Sequence, residues 1–532
     1  MEEERTYRVL VADKLSPKGI ELLKREEGIR CYVEPDISPG ELRATIGEYD
    51  GIIIRSKTTL TADIINASER LKVIGRAGIG VDNVDVQTAT RRGIVVMNTP
   101  RENAPAAAEH TIAMMLAISR NIPQATASTK LGKWERGKFI GVELCGKTLG
   151  VIGIGNIGSL VVERAQGFKM NVIAYDPYIP EDVAAQRGIS LVALDDLLGR
   201  SDFISIHTPL TEETRNLIDE EALKKVKPGV MIINCARGGI VSEGALLHAL
   251  KSGKVRGAAL DVFENEPAGN NPLFELENVI CTPHIGAATS EAQENVAVAI
   301  ADQVVDFLIN KRIRNAVNIP VVSPDVLPVV KPYLDVGERL GSFLTQIADA
   351  AIEELSIEYR GTVAEYNVSS ITVSILRGLL TPYMGEVVNF VNASVIAKDR
   401  GIRVRESRST TAEDFASMVA ITATGKGEQN SIAGALFGTK DFRIVQINDF
   451  LIEAVPEGNM LLIQNYDRPG VIGNIGTALG NRDMNIATMQ FSRDRSGGVA
   501  ISLLHLDSVI TKEVVEELSQ LPNIISVKHI EL

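Results

Sequence analysis

The chain reads as an α/β protein: a doubly wound parallel sheet carrying a nucleotide site, with smaller α/β modules around and behind it. Three observations lead there. Thr148-Leu-Gly-Val-Ile-Gly-Ile-Gly-Asn-Ile-Gly158 is an apolar strand running into a Gly-x-Gly-x-x-Gly turn, and a second strand, Val172-Ile-Ala-Tyr-Asp176, follows a helix-like run. Short β-branched strands alternate with helical segments both before and after that motif. The C-terminal stretch has the order strand, helix, strand, strand, helix, strand.

At the N-terminus, Arg8-Val-Leu-Val-Ala12, Gly51-Ile-Ile-Ile54, Leu71-Lys-Val-Ile74 and Ile94-Val-Val-Met97 are near-continuous apolar runs, as expected of parallel strands buried on both faces. Ile20 to Arg25, Ala62 to Glu69 and Val84 to Arg92 have helical character between them. A long helical segment, Ala104 to Ser119, leads into the glycine motif. There Gly153 allows the tight turn, Gly155 lets backbone approach a pyrophosphate, and Gly158 lets helix pack closely on strand. The helix N-terminus offers free N–H groups to phosphate. Asp176, at the end of the next strand, can accept from ribose hydroxyls and would repel a 2′-phosphate, so NAD is expected over NADP. Later strands of this Rossmann unit are Phe203 to Ile206, Val230 to Asn234, Gly257 to Leu260 and Val279-Ile280.

Proline density rises over Pro320-Val-Val-Ser-Pro-Asp-Val-Leu-Pro328, which reads as a linker or hinge. A mixed α/β stretch follows. The final module places strands at Met460 to Gln464, Ile486 to Ser492, Val499 to His505 and Ile524 to His529, with helices at Val471 to Gly480 and Lys512 to Gln520.

The length, 532 residues, exceeds what one core serves. A hydrophobic fraction of 45% with 23% charged residues is that of an ordinary globular chain, and no apolar run is long enough to span a bilayer. Cys31, Cys145, Cys235 and Cys281 lack metal-ligand spacing, so no metal is expected. Their scatter, and an acidic Met1-Glu-Glu-Glu-Arg5 without a signal-peptide pattern, fit a cytoplasmic location. A net charge of -13 argues against broad nucleic-acid binding. An anionic substrate would need a local cluster of arginines.

Three segments downstream of the glycine motif carry candidate chemistry: Asn234-Cys-Ala-Arg237-Gly-Gly, Asp261-Val-Phe-Glu-Asn-Glu266-Pro and Thr282-Pro-His284-Ile-Gly-Ala-Ala. Each follows a strand, where ligands of open α/β sheets bind. Oxidising a hydroxyl removes its proton as hydride leaves the same carbon. His284 can accept that proton, Glu266 can orient the imidazole, and Arg237 can hold a substrate carboxylate through two parallel bonds. Taken singly, each has a plain reading as turn or surface chemistry. His207-Thr-Pro-Leu210 ends a strand too, and serves either as a cofactor edge or as a strand-terminating turn.

Together these segments resemble the D-isomer-specific 2-hydroxyacid dehydrogenases. The resemblance implies Arg237, Glu266 and His284 as catalytic residues. It implies a cofactor lining of Gly153, Gly155, Asn156, Ile157, Gly158, Asp176, His207, Thr208, Pro209, Cys235, Ala236, Arg237, Asp261, His284, Gly286 and Ala287. It also implies a flavodoxin-like substrate domain in two pieces, 1–98 and 288–319, around a nucleotide domain at 99–287, then an intervening domain at 320–453 and an ACT regulatory domain at 454–532. Along its whole length, through Ile54-Arg-Ser-Lys-Thr58, Arg76-Ala-Gly-Ile-Gly-Val-Asp-Asn-Val-Asp85 and Asn98-Thr-Pro-Arg-Glu-Asn103, the chain resembles the long phosphoglycerate-oxidising branch of that family. That implies 3-phosphoglycerate as substrate, contacts from Arg55, Ser56, Gly78, Ile79, Asn103, Arg237 and His284, and a homo-oligomer, a tetramer by resemblance. Gly78 to Gly80 can form an anion-binding nest. Arg76 and Lys57 are further candidates for the phosphate. The ACT resemblance implies L-serine as effector at Asp467 and Asn485, although Asn465 stands where some relatives carry a tyrosine. Asn389-Phe-Val-Asn392 marks the intervening domain, whose Arg403, Lys440 and Arg443 read either as an anion site or as a solvated face. Two other readings stay open: a dehydrogenase of another 2-hydroxyacid such as the glyoxylate or 2-oxoglutarate pair, and a non-catalytic NAD-sensing protein on the same fold.

Overall fold

A computed structural model describes residues 6–320, 322, 326–411, 415–438 and 441–532. Residues 1–5, part of the Pro320–Pro328 hinge segment, and Lys440 lie outside the described residues.

The first sheet holds β1 (Tyr7–Val11), β2 (Ile29–Val33), β3 (Gly51–Ile54), β4 (Val73–Arg76) and β5 (Val95–Met97), all parallel in the order β2-β1-β3-β4-β5. This is the flavodoxin-like order, whose switch point lies between β1 and β3. The sequence reading found four of these strands. It missed β2 because Arg30 and half-exposed Cys31 and Tyr32 break the apolar run, as an edge strand permits. The second sheet holds β6 (Thr148–Ile152), β7 (Asn171–Tyr175), β8 (Ser190–Leu191), β9 (Phe203–Ile206), β10 (Val230–Asn234), β11 (Val255–Leu260) and β12 (Val279–Cys281). Its order, β12-β11-β10-β9-β6-β7-β8, is that of a Rossmann sheet with one strand added. The order reverses between β6 and β9, so the crevice opens between Gly153 and His207.

Two long helices tie these sheets together. The helix Ala104–Ser119 follows β5 in the chain and packs against β10, β11 and β12. The helix Ser290–Asn310 returns from β12 and packs on β3, β4 and the helix Pro17–Arg25. Thr289 caps it, accepting from Ala292 N at 3.1 Å. Its buried face, Val296, Ile300, Ala301, Val304 and Leu308, completes the core under β1, β3 and β4.

The third sheet runs β14 (Arg403–Ser409), β13 (Glu354–Gly361), β15 (Ser417–Gly425), β16 (Glu428–Phe437), β17 (Asp441–Ile447) and β18 (Phe450–Ala454). Only the β13–β14 pair is parallel. The helices Leu327–Ile347 and Ser369–Met384 pack on each other and share its core. The fourth sheet, β20 (Ile486–Arg493), β21 (Val499–Leu506), β19 (Asn459–Tyr466) and β22 (Ile524–Glu531), is antiparallel throughout, with the helices Val471–Gly480 and Lys512–Ser519 completing the ferredoxin-like pattern. Gln346 joins the last two bodies, donating to Glu531 O and accepting from Glu531 N, both at 3.0 Å. No helix among the described residues is long and apolar enough to cross a membrane.

The Asn389–Asn392 turn docks the third body on the first. Asn389 Oδ1 accepts from Val391 N at 2.9 Å, and Asn392 Oδ1 accepts from Asn389 N at 2.7 Å. So braced, Asn389 Nδ2 donates to Gly93 O at 3.0 Å, and Val391 is buried in the apolar core of the first sheet. Val391→Asp would bury an unpaired carboxylate there, at a cost of several kcal/mol. It is expected to lower the first thermal unfolding transition by several degrees in scanning fluorimetry. An unchanged transition would show that this docking contributes nothing to stability.

Candidate active site

The nucleotide cradle is built as the glycine spacing implies. Gly153 turns at φ +86° and donates to Tyr175 O at 2.9 Å. A Cβ on Gly158 would lie 2.1 Å from Gly153 O, so the helix Asn156–Gly167 can approach the turn only with glycine there. Above Gly155 nothing lies within 4 Å of where a Cβ would stand. Nearby, Thr208 Oγ1 is buried and finds no hydrogen-bond partner among the described residues. Open space at the middle glycine beside an unused hydroxyl fits a bound pyrophosphate and ribose. Asp176 also braces the turn: Oδ2 accepts from Ile154 N at 2.9 Å and Oδ1 from Tyr178 N at 3.0 Å. Each oxygen keeps a lone pair for a ribose hydroxyl.

Around the crevice, Asn156 Nδ2 donates to Pro100 O at 3.1 Å, crossing to the loop after β5. Ile157 is half-buried against the core. Pro209 O accepts from Thr214 Oγ1 at 2.6 Å. His207 Nε2 meets Ser205 Oγ at 2.8 Å, and burial pulls this imidazole down to about 4, so it stays neutral at physiological pH. Burial pushes the Cys235 thiol up to about 12, helped by the Asp261 charge, which leaves it an inert wall. Ala236 N donates to Asn234 Oδ1 at 3.0 Å and Asn234 Nδ2 to Arg237 O at 2.9 Å, closing the turn that presents Arg237. A Cβ on Gly238 would sit 1.7 Å from Phe263 O, which explains the glycine after that arginine.

His284 and Glu266 are brought together. Nδ1 of His284 lies 2.6 Å from Glu266 Oε2, while Glu266 Oε1 accepts from Phe263 N at 3.0 Å. Burial alone would raise the Glu266 carboxyl, but the bonds from His284 and Phe263 outweigh it and hold it below the usual range. An ionised carboxylate only accepts, so His284 carries its proton on Nδ1 and leaves Nε2 free as a base. His284 adopts φ +53°, a left-handed conformation costing a non-glycine residue about 1–2 kcal/mol. Its backbone is held by N–H bonds to Asp261 O at 2.9 Å and Thr282 O at 3.0 Å. Asp261, buried, accepts from Ile285 N at 2.9 Å and Gly286 N at 2.8 Å. It therefore holds the segment that reaches half-buried Ala287 rather than facing the crevice itself.

The residues expected to bind anions come from both sheets. Arg237 Nε donates to Asp82 Oδ2 at 3.1 Å, and its guanidinium lies against Gly80. Arg76 belongs with it: burial, then the nearby Arg237 charge, pulls Arg76 down to about 10, and its Nε has no partner among the described residues. It remains charged at neutral pH. Arg55 adds a third cation within range of Arg76, with Nη1 donating to Lys14 O at 3.1 Å. Buried Asp13 fixes that loop, accepting from Arg55 N at 2.5 Å and Thr58 Oγ1 at 2.8 Å. Ser56 is exposed at its tip. Lys57 is drawn away to Asp36 at 2.7 Å. Gly78 N is engaged by Arg76 O at 2.9 Å, which reduces the expected nest to the Ile79 and Gly80 N–H groups, and Ile79 O accepts from Asn98 Nδ2 at 2.6 Å. Asn103 is buried with its Oδ1 unpartnered among the described residues, an acceptor held ready for a ligand.

In the C-terminal module both expected effector residues have partners. Asp467 Oδ2 accepts from Arg493 at 2.8 Å and Gly497 N at 3.1 Å, and Asn485 Nδ2 donates to Asp507 at 2.6 Å. Asn465 is fully buried. Arg443 is paired with Asp441 and Glu453, and Arg403 with Glu354, so neither offers a free cation.

The sequence reading assigned no role to Asp13, Asp82, His110 or Thr282. Asp13 was detectable as an acid at a strand end, like Asp176. Asp82 lay inside a motif already quoted. Thr282 opened a segment already quoted, and His110, between Glu109 and Thr111, carried no local signal.

Known proteins resemble this chain in each of its modules. Residues 112–286 match the NAD binding domain of the D-isomer specific 2-hydroxyacid dehydrogenases, 329–448 the D-3-phosphoglycerate dehydrogenase intervening domain, and 459–523 the ACT domain. A D-3-phosphoglycerate dehydrogenase of Synechocystis is 45% identical over 518 residues, 97% of this chain and 93% of that one. Those of Methanocaldococcus jannaschii and Bacillus subtilis are 44% and 41% identical over 526 residues, 99% of this chain and all of theirs. Among solved structures, D-lactate dehydrogenase from Aquifex aeolicus complexed with NAD and lactic acid matches at a TM-score of 0.52 and 30% identity, over 59% of this chain and 100% of that one. A glyoxylate reductase from Paecilomyes thermophila matches at 0.55 and 30%, over 59% and 98%. The chain is an NAD-dependent oxidoreductase and belongs to the D-3-phosphoglycerate dehydrogenase family of the D-isomer-specific 2-hydroxyacid dehydrogenases.

Proposed function

We propose that this enzyme oxidises 3-phospho-D-glycerate to 3-phosphohydroxypyruvate, the first step of phosphorylated L-serine synthesis, and that L-serine inhibits it through the C-terminal module. The carrying observation is the placement of the His284–Glu266 pair on the sheet edge that also presents Arg237 to Arg76 and Arg55. Bound NAD supplies the hydride acceptor. The residues do the rest. His284 Nε2 takes the hydroxyl proton, and Glu266 stabilises the imidazolium that results. Arg237 exchanges Asp82 for the substrate carboxylate, and Arg55 with Arg76 receives the phosphate. Three guanidinium groups exceed what the single carboxylate of glyoxylate requires, which favours a substrate with an anion at each end.

A homo-oligomer is supported by an apolar arm after the Ala104–Ser119 helix, where Leu131 (75%), Trp134 (73%) and Ile140 (75%) are exposed. In the C-terminal module the Asp467–Arg493 pair offers both signs to an amino-acid zwitterion. The domain boundaries given above, a tetramer and a cytoplasmic location belong to the same proposal.

His284→Gln should cut NADH-dependent reduction of 3-phosphohydroxypyruvate by roughly a hundredfold to ten-thousandfold while NADH binding is retained. Turnover within a few-fold of the parent enzyme would remove His284 from proton transfer. Asp467→Asn should raise the L-serine concentration for half-inhibition by about tenfold or more, as loss of a charge-assisted contact demands. An unchanged inhibition curve would move the effector elsewhere.

A further inference from the structure

Asp261 is the point on which the proton-transferring turn hangs, and its own surroundings are unusually well defined. Its Oδ1 accepts from Thr282 Oγ1 at 2.5 Å and Ile285 N at 2.9 Å, its Oδ2 from Gly286 N at 2.8 Å. Burial would raise this carboxyl, but bonds from His110, Thr282, Ile285 and Gly286 overcome that and hold it low. Thr282 has one hydroxyl proton to give. Asp261 Oδ1 at 2.5 Å takes it in preference to Met114 Sδ at 4.0 Å. The Thr282 oxygen then has only lone pairs to offer His110 Nε2, which lies 3.1 Å away. His110 therefore carries a proton on Nε2 and donates it. The same nitrogen is 3.4 Å from Asp261 Oδ1.

We infer that His110 is a positioning residue for His284, acting through Thr282 and Asp261. The imidazole sits on the helix Ala104–Ser119, whose first turn follows Asn103, so one rigid element fixes both a substrate-side residue and the turn bearing the base. His284 occupies a left-handed backbone conformation that few non-glycine residues adopt. That conformation persists because the flanking N–H groups are fastened to Asp261, and Asp261 keeps its orientation because Thr282 and His110 fill its remaining face. Without His110 the Thr282 hydroxyl is free to rotate and the carboxylate to tilt. The error passes to His284 Nε2.

The inference rests on the acid–base role proposed for His284, and the test separates the two. His110→Ala, His110→Gln, Thr282→Val and the Ala/Val double variant would be assayed as full-length enzymes. The readouts are kcat and KM for 3-phosphohydroxypyruvate, NADH binding by fluorescence, and the isotope effect with 4-deuterated NADH. His110→Ala should lower kcat by roughly tenfold or more with NADH affinity little changed, since about 1 Å of misplacement at a reacting group costs up to about a hundredfold. Thr282→Val should lose kcat similarly, and the double variant should be scarcely worse than either, because both act through one carboxylate. His110→Gln, which keeps a donor, should recover part of the loss. If His110→Ala fails to fold, His110→Gln and Thr282→Val carry the same comparison. Unaltered kcat in these variants while His284→Gln is inactive would overturn the positioning role alone. So would a loss confined to NADH affinity, or strictly additive losses. Retained turnover in His284→Gln would overturn the acid–base reading and this inference with it.

Discussion

Two parallel sheets present the carboxyl ends of their strands to one crevice, and the Arg237–Asp82 pair bridges it. Arg237 leaves the end of β10, while Asp82 sits in the loop after β4. Asp82 is largely exposed, with 71% of its side chain accessible, so the pair contributes at most about 1 kcal/mol. That weakness suits its place. A substrate carboxylate forming two parallel charge-assisted bonds can displace Asp82, whereas a buried partner would compete too well. The contact therefore holds the arginine near its working position without blocking it.

Behind this contact the site is organised by carboxylates at strand ends, two of them, Asp13 and Asp261, buried. Asp13 after β1 fixes the loop carrying Arg55, Asp176 after β7 fixes the glycine turn, and Asp261 after β11 fixes the turn carrying His284. Each is paired with backbone N–H donors, so its charge is compensated where it is buried. Between them these three acids set the positions of the residues proposed as substrate grip, cofactor cradle and base. The left-handed backbone at His284 and the guanidinium of Arg76 enclosed near Arg237 are costly features, and both lie at the crevice. Such local conflict with ordinary preference is expected where chemistry is done.

Much of this was legible in the sequence. The glycine spacing and the terminal acid Asp176 gave the cradle, because both depend on residues close along the chain. Arg237, Glu266 and His284 were legible as residues following strands, and their placement at one end of the sheet follows from the parallel order of β10, β11 and β12. Edge strand β2 escaped because exposure on one side removes the apolar continuity that marks its neighbours. Asp82, His110 and Thr282 escaped for a different reason: the partner of each lies on another element, 155 residues away for Asp82 and 172 for His110. The Asn389–Asn392 turn was recognisable as a motif, yet its function as a dock on Gly93 appears only once two bodies are placed together.

The central claim is that the arginines gathered from two sheets define a substrate with a carboxylate at one end and a phosphate at the other. The most direct measurement is the ratio of kcat/KM for 3-phosphohydroxypyruvate to that for unphosphorylated hydroxypyruvate, with NADH at neutral pH. Arg55 and Arg76 acting on the phosphate should give a preference of about a hundredfold or more, each charge-assisted bond contributing roughly 1.5–3 kcal/mol. Equal efficiency with the two acids would contradict the account, leaving the guanidinium cluster as a carboxylate grip and the substrate as an ordinary 2-hydroxyacid.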